Sequence, residues 1–194
     1  MRFLIPLTLA TLSASAAEVF SYWIEPCHRP ETACEPGDVD LAEWALRAWE
    51  SASGGVLRLE RAEQSKARIR VFWAGGRSGL YGEARPITVE GQSGAEVHVR
   101  PDLAQLGGEM EAAGRRDRLL RDTIVYLTCL HETGHALGLP HTRAWDDIMY
   151  SFQHGGDIPE YFGRYRRKLT QRTDIRKHSG ISPADRARLI EVRK

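Results

Sequence analysis

His131, Glu132, His135 and His141 are the residues whose types and spacing could act together chemically. They fall in His131-Glu132-Thr133-Gly134-His135-Ala136-Leu137-Gly138-Leu139-Pro140-His141, the pattern H-E-x-x-H-x-x-G-x-x-H. Residues four apart share a helix face one turn apart, so His131 and His135 can aim two imidazoles at one ion. Neutral imidazole suits Zn²⁺, and a reactive site takes three protein ligands and leaves a fourth position to water. His141 is the expected third ligand. A continuing helix would swing it away, so the chain must reverse first. Gly138 stands where that reversal is needed, because glycine enters the left-handed region without a Cβ penalty. Pro140 then keeps the helix from resuming. Glu132, beside such a metal, is placed to take a proton from water attacking a carbonyl and to pass it to a leaving amine.

Met149 follows eight residues after His141, in Asp147-Ile148-Met149-Tyr150. Alone it reads equally well as an ordinary core methionine. With the histidine pattern, residues 131–150 resemble the metzincin zinc peptidases, and within them the matrixins, the matrix-metalloproteinase-like catalytic domains. Gly134 inside the helix, Leu139 after the glycine and the step from His141 to Met149 carry the likeness to that branch. The likeness extends loosely over nearly the whole chain and is sharp only over residues 131–150.

The resemblance implies that Met149 is an apolar floor beneath the metal and not a ligand. It implies that Leu80, Tyr81, Gly82, Glu83 and Ala84 form the edge strand of a cleft, where an extended peptide gains backbone hydrogen bonds by strand addition. Gly82 would let that backbone approach closely. One catalytic zinc ion is expected. The histidines and aspartate that hold a structural zinc in vertebrate matrixins have no counterpart in residues 74–99, which contain only His98, so no structural zinc is expected. A Cys-switch propeptide is also missing before the first strand, as in the trimmed matrixins of bacteria.

The elements that must position these residues read as an α+β domain: a five-stranded mixed twisted sheet, a backing helix, an active-site helix and a C-terminal helix. Val19 to Ile24 is β-branched and aromatic and reads as a strand. Leu41, Trp44, Ala45, Ala48 and Trp49 recur at helical spacing to about Ser51, with Asp38 or Asp40 as cap. Val56–Arg61 and Ala67–Trp73 alternate as strands. Leu80–Ala84 is a short strand ending before Pro86, Gly91–Gly94 a turn, and Ala95–Val99 a fifth strand. Arg115 to Leu137 reads as one long helix, apolar over a wide arc. Pro159 to Leu169 reads as an added helix carrying Tyr161, Phe162 and Tyr165. Ser182 caps a last helix, with Pro183 at its first position. By the family pattern, residues 151–181 form the wall of the pocket for the residue after the scissile bond.

Composition bounds the rest. The 194 residues suit one domain, and the formal net charge of +1 argues against a nucleic-acid or membrane-surface protein. Met1-Arg2, the apolar run from Phe3 to Leu12 and the small residues Ser13 to Ala17 read as a signal peptide, cleaved after Ala16 or Ala17. The domain is then residues 18–194, secreted or periplasmic, without a stable membrane anchor and expected to be monomeric. Cys27 and Cys34 flank Pro30 and are expected to form a local disulfide, leaving Cys129 a buried thiol. From Tyr161 to Lys194, eleven basic residues face three acidic ones.

The expected activity is therefore zinc-dependent hydrolysis of peptide bonds in a peptide or protein substrate, with Glu132 as general base. The alternative is a catalytically silent protein of the same fold that binds through its basic C-terminal third. The intact Glu132 argues against it.

Overall fold

The computed structural model describes residues 17–75 and 81–193. The segment read as a signal peptide therefore lies, up to Ala16, outside the described residues, as does Leu80. The sheet contains β1 (Glu18–Ile24), β2 (Leu57–Arg61), β3 (Ile69–Trp73), β4 (Gly82–Val89) and β5 (Gln92–Val99). Its order is β2-β1-β3-β5-β4. All pairs are parallel except β4 with β5, which run antiparallel.

Helices α1 (Asp38–Ala52) and α3 (Arg118–Ala136) cover the sheet's apolar face, joined by α2 (Gly108–Arg116), α4 (Ile158–Arg166) and α5 (Pro183–Val192). Phe20, Tyr22, Ile69, Val71, Val97 and Val99 point from the sheet into the same core as Leu41, Leu46 and Trp49 of α1 and Ile124, Leu127 and Leu130 of α3. Trp49 pins the two helices together: its indole Nε1 donates to the Leu130 carbonyl at 2.8 Å in a buried contact. A buried indole needs such a partner, since an unpaired N–H in the core is costly. No helix among the described residues is long and apolar enough to cross a membrane.

The structure corrects the sequence reading in several places. The expected long helix from Arg115 is two helices. Asp117 breaks them by leaving helical geometry, with φ −120° and ψ 98°, and accepting the Leu120 N–H at 3.2 Å as the N-cap of α3. A short acceptor side chain competes in this way with the helical ladder.

Strand β4 runs through Pro86 to Val89, and β5 already begins at Gln92, so the turn between them is confined to residues 90–91. Pro86 sits opposite Ala95, whose own N–H is turned towards β3 and bonds the Arg68 carbonyl at 2.7 Å. The missing proline N–H thus falls on the free side of an edge strand, where no ladder bond is lost. The cap of α1 is Gly37. Asp38 is instead almost fully buried, accepting the Glu35 N–H at 2.9 Å and the Arg121 guanidinium at 2.5 and 2.7 Å.

Cys27 and Cys34 are joined by a disulfide, and Cys129 is a buried free thiol in the core. The basic run near the C-terminus is largely paired within the molecule. Arg166 meets Asp117 at 2.8 Å, Arg172 meets Asp122 at 3.2 Å, Arg193 meets Glu18 at 3.0 Å, and Arg188 meets both Asp147 and Asp185 at 2.6 Å.

Candidate metal centre and cleft

Helix α3 carries His131 and His135 one turn apart and ends at Ala136. Its end is a Schellman turn. The Leu139 N–H bonds the Gly134 carbonyl at 3.0 Å and the Gly138 N–H bonds the His135 carbonyl at 2.8 Å, with Gly138 at φ 86°. This turn folds His141 back over the helix.

The Nε2 atoms of His131 and His135 then lie 3.2 and 3.1 Å from His141 Nε2. Each helical imidazole has its other nitrogen occupied. His131 Nδ1 is 2.7 Å from the Ile148 carbonyl and His135 Nδ1 is 2.7 Å from the Leu139 carbonyl. A carbonyl can only accept, so both rings carry their proton on Nδ1 and present a lone pair at Nε2. Burial pushes the His131 imidazole down to about 4, and burial likewise holds His135 and His141 below the ordinary histidine value. Three neutral imidazoles with converging lone pairs fit a zinc ion, and they form the one histidine or acidic cluster with metal-ligand spacing among the described residues.

Glu132 is buried beside them, and both it and the histidines line a cleft of about 400 Å³. Burial, with the charge of Glu83 adding to it, raises its carboxyl to about 8. Tyr81, Gly82, Glu83 and Ala84 line the same cleft. Gly82 faces Glu132 itself: a Cβ there would come within 2.5 Å of Oε1 and 2.7 Å of the Thr128 methyl. Gly82 thus makes room for the Glu132 carboxylate.

Met149 is fully buried, with its sulfur against Gly134. Any side chain at 134 would displace it, which gives the helical glycine a packing reason. The turn bearing Met149 is held by residues that sequence patterning did not single out. Asp185, fully buried on α5, accepts the Ile148 N–H at 2.7 Å and Arg188 at 2.6 Å. Asp147 accepts Ser182 Oγ and Arg188, each at 2.6 Å. Burial would raise the Asp147 carboxyl, but these two donors hold it below the ordinary range. Ser182 and Pro183 announce the helix in the sequence. Nothing local announces that its first turn clasps residues 147–148.

The other wall of the cleft comes from residues 150–162. Tyr150, Phe152, Ile158, Tyr161 and Phe162 line it, and Trp145 braces it from behind at 5.0 Å from the Tyr150 ring and 5.3 Å from that of Tyr161. Arg164 stacks over Tyr161 at 4.5 Å, within range of a cation–π contact, and donates to the Trp145 carbonyl at 2.6 Å.

A sheet edge facing a buried helix across such a histidine cluster is the build of a zinc metallopeptidase. The family model for matrixins matches residues 21–160, and the chain belongs to the matrixin family. It is similar to matrix metalloproteinase-15 from Homo sapiens, 30% identical over 130 residues that make up 60% of this chain and 18% of the relative. It is also similar to macrophage metalloelastase from Oryctolagus cuniculus, 28% identical over 116 residues, 58% of this chain and 24% of the relative. The chain therefore matches less than a quarter of the length of either relative.

Proposed function

We propose that this chain is an exported zinc endopeptidase in which His131, His135 and His141 hold one catalytic zinc and Glu132 is the general base. The observation that carries this reading is the convergence of the three Nε2 atoms, with 3.2 and 3.1 Å between them, in the cleft that also holds the Glu132 carboxylate. Bound zinc supplies Lewis acidity, acidifying a water and polarising a carbonyl.

Glu132 takes the proton of the attacking water and returns it to the nitrogen of the leaving amine. In the metal-free chain burial holds this carboxyl up at about 8, and a cation bound by the neighbouring histidines would favour its carboxylate form, the form that accepts the proton. The free edge of β4 supports an extended peptide lying alongside it, and the aromatic wall supports an apolar side chain after the scissile bond. The Met1–Ala17 signal-like segment supports export.

Metal analysis and peptide hydrolysis test the reading together. Glu132→Gln should keep a full complement of zinc and lose cleavage by roughly 10²–10⁴-fold. Fully zinc-loaded wild-type protein that hydrolyses nothing in a diverse peptide library would reject the peptidase reading and leave the metal site standing.

A further inference from the structure

A second groove, of about 960 Å³, lies between α1 and the segment from Ile175 to Arg186. It takes Tyr126 from α3, whereas the cleft takes Thr128. Residues two apart point to opposite sides of a helix, so the groove opens away from the metal centre.

Its lining is cationic. Arg176 and Arg186 are exposed, and among the described residues neither has an acid within salt-bridge distance, unlike most basic residues of this part of the chain. Lys177 also lines it, with only Asp174 nearby at 2.8 Å. The one acid on the lining, Glu43, is already held by Arg47 at 3.1 Å, Arg61 at 2.6 Å and the Tyr22 hydroxyl at 2.5 Å. Helix α5 starts at the rim, adding the positive end of its dipole. Between the cations the groove is apolar, with Trp44, Ala48 and Ile181 exposed in part.

From this combination we infer that the groove docks an acidic peptide segment carrying a bulky apolar side chain, at a site separate from the cleft. Arg176 and Arg186 meet its carboxylates, and Trp44 with Ile181 takes the apolar group. The concave apolar floor favours a peptide over a sulfated polysaccharide, which has nothing to place there.

The test measures binding by fluorescence anisotropy and needs no catalysis, so its failure is distinguishable from failure of the peptidase reading. The probe is a fluorescein-labelled glutamate-rich peptide with one central leucine. The double variant Arg176→Glu with Arg186→Glu should weaken its binding on the order of tenfold, as expected for two partly exposed ion pairs turned repulsive. Zinc content and cleavage of a short neutral peptide should not change. Lys168→Glu, which removes an exposed cation outside the groove, should alter binding less than about twofold. Replacing the leucine with serine should also weaken the probe. The inference is overturned by absence of binding, by equal weakening from Lys168→Glu, by indifference to the leucine, or by a heparin-derived oligosaccharide binding more tightly than the peptide.

Discussion

Glu132 and Gly82 are in direct opposition across the cleft, the carboxylate occupying the space where a side chain on residue 82 would begin. Gly82→Ala should therefore push Glu132 out of place without touching the histidines. A shift of that size costs on the order of 10²-fold in turnover. Zinc content by mass spectrometry should be unchanged, and an alanine variant with wild-type turnover would show that Glu132 needs no such clearance.

Asp185 supports the His131 ring through two relayed contacts. It fixes the Ile148 N–H, and the Ile148 carbonyl fixes the His131 ring. Asp185→Ala also leaves Arg188 with one carboxylate partner, Asp147. Loss of a buried charged acceptor should lower stability by about 3 kcal/mol. Zinc affinity, read by chelator competition, should fall by roughly 10–100-fold. Unchanged affinity in the folded variant would remove Asp185 from the chain of support.

Proton linkage gives opposite signs for two neighbours in the metal-free protein. The folded state holds His131 near 4, below its unfolded 6.5. The unfolded chain therefore takes up protons first, and stability should fall as the pH drops from 6.5 towards 4. Glu132 sits near 8, above its unfolded 4.5, so its contribution is present at low pH and is lost as the pH rises from 4.5 through 8. Metal-free Glu132→Gln should gain stability over wild type across that interval in thermal melts at stepped pH. A constant difference would mean that burial does not tax the carboxylate.

Arg193 joins the start of the sheet to the end of α3, pairing with Glu18 at 3.0 Å and donating to the Leu137 carbonyl at 2.6 Å. It satisfies an orphan carbonyl and complements the negative end of the helix dipole. Arg193→Ala should cost about 1–2 kcal/mol in chemical denaturation. Glu18→Gln should cost less, because Leu137 keeps its donor.

The histidine cluster, Gly138 and the strands were legible because their signals are local. A helix repeat puts His131 over His135, and a glycine at the right offset turns the chain. The break at Asp117 was missed because apolar periodicity runs across it, and only the capping geometry shows the stop. β4 was cut short by reading Pro86 as a terminator, a rule that lapses on an edge strand, and β5 by reading the whole of residues 91–94 as a turn. The basic stretch suggested an open charged face, but its acids come from distant positions, Glu18, Asp117 and Asp122 among them. Pairings across so many residues leave no trace in local composition. Asp185 was hidden for the same reason: its partner at Ile148 is a backbone N–H, which every residue but proline possesses.

The clasp between α5 and residues 147–148 also ties the histidine pair to the last helix. His131 and His135 share one helix, but His131 takes its orientation from the Ile148 carbonyl, and the Ile148 N–H is held by Asp185 of α5. An ion held by His131 would thus depend on the docking of α5, and its affinity would report whether that helix is in place.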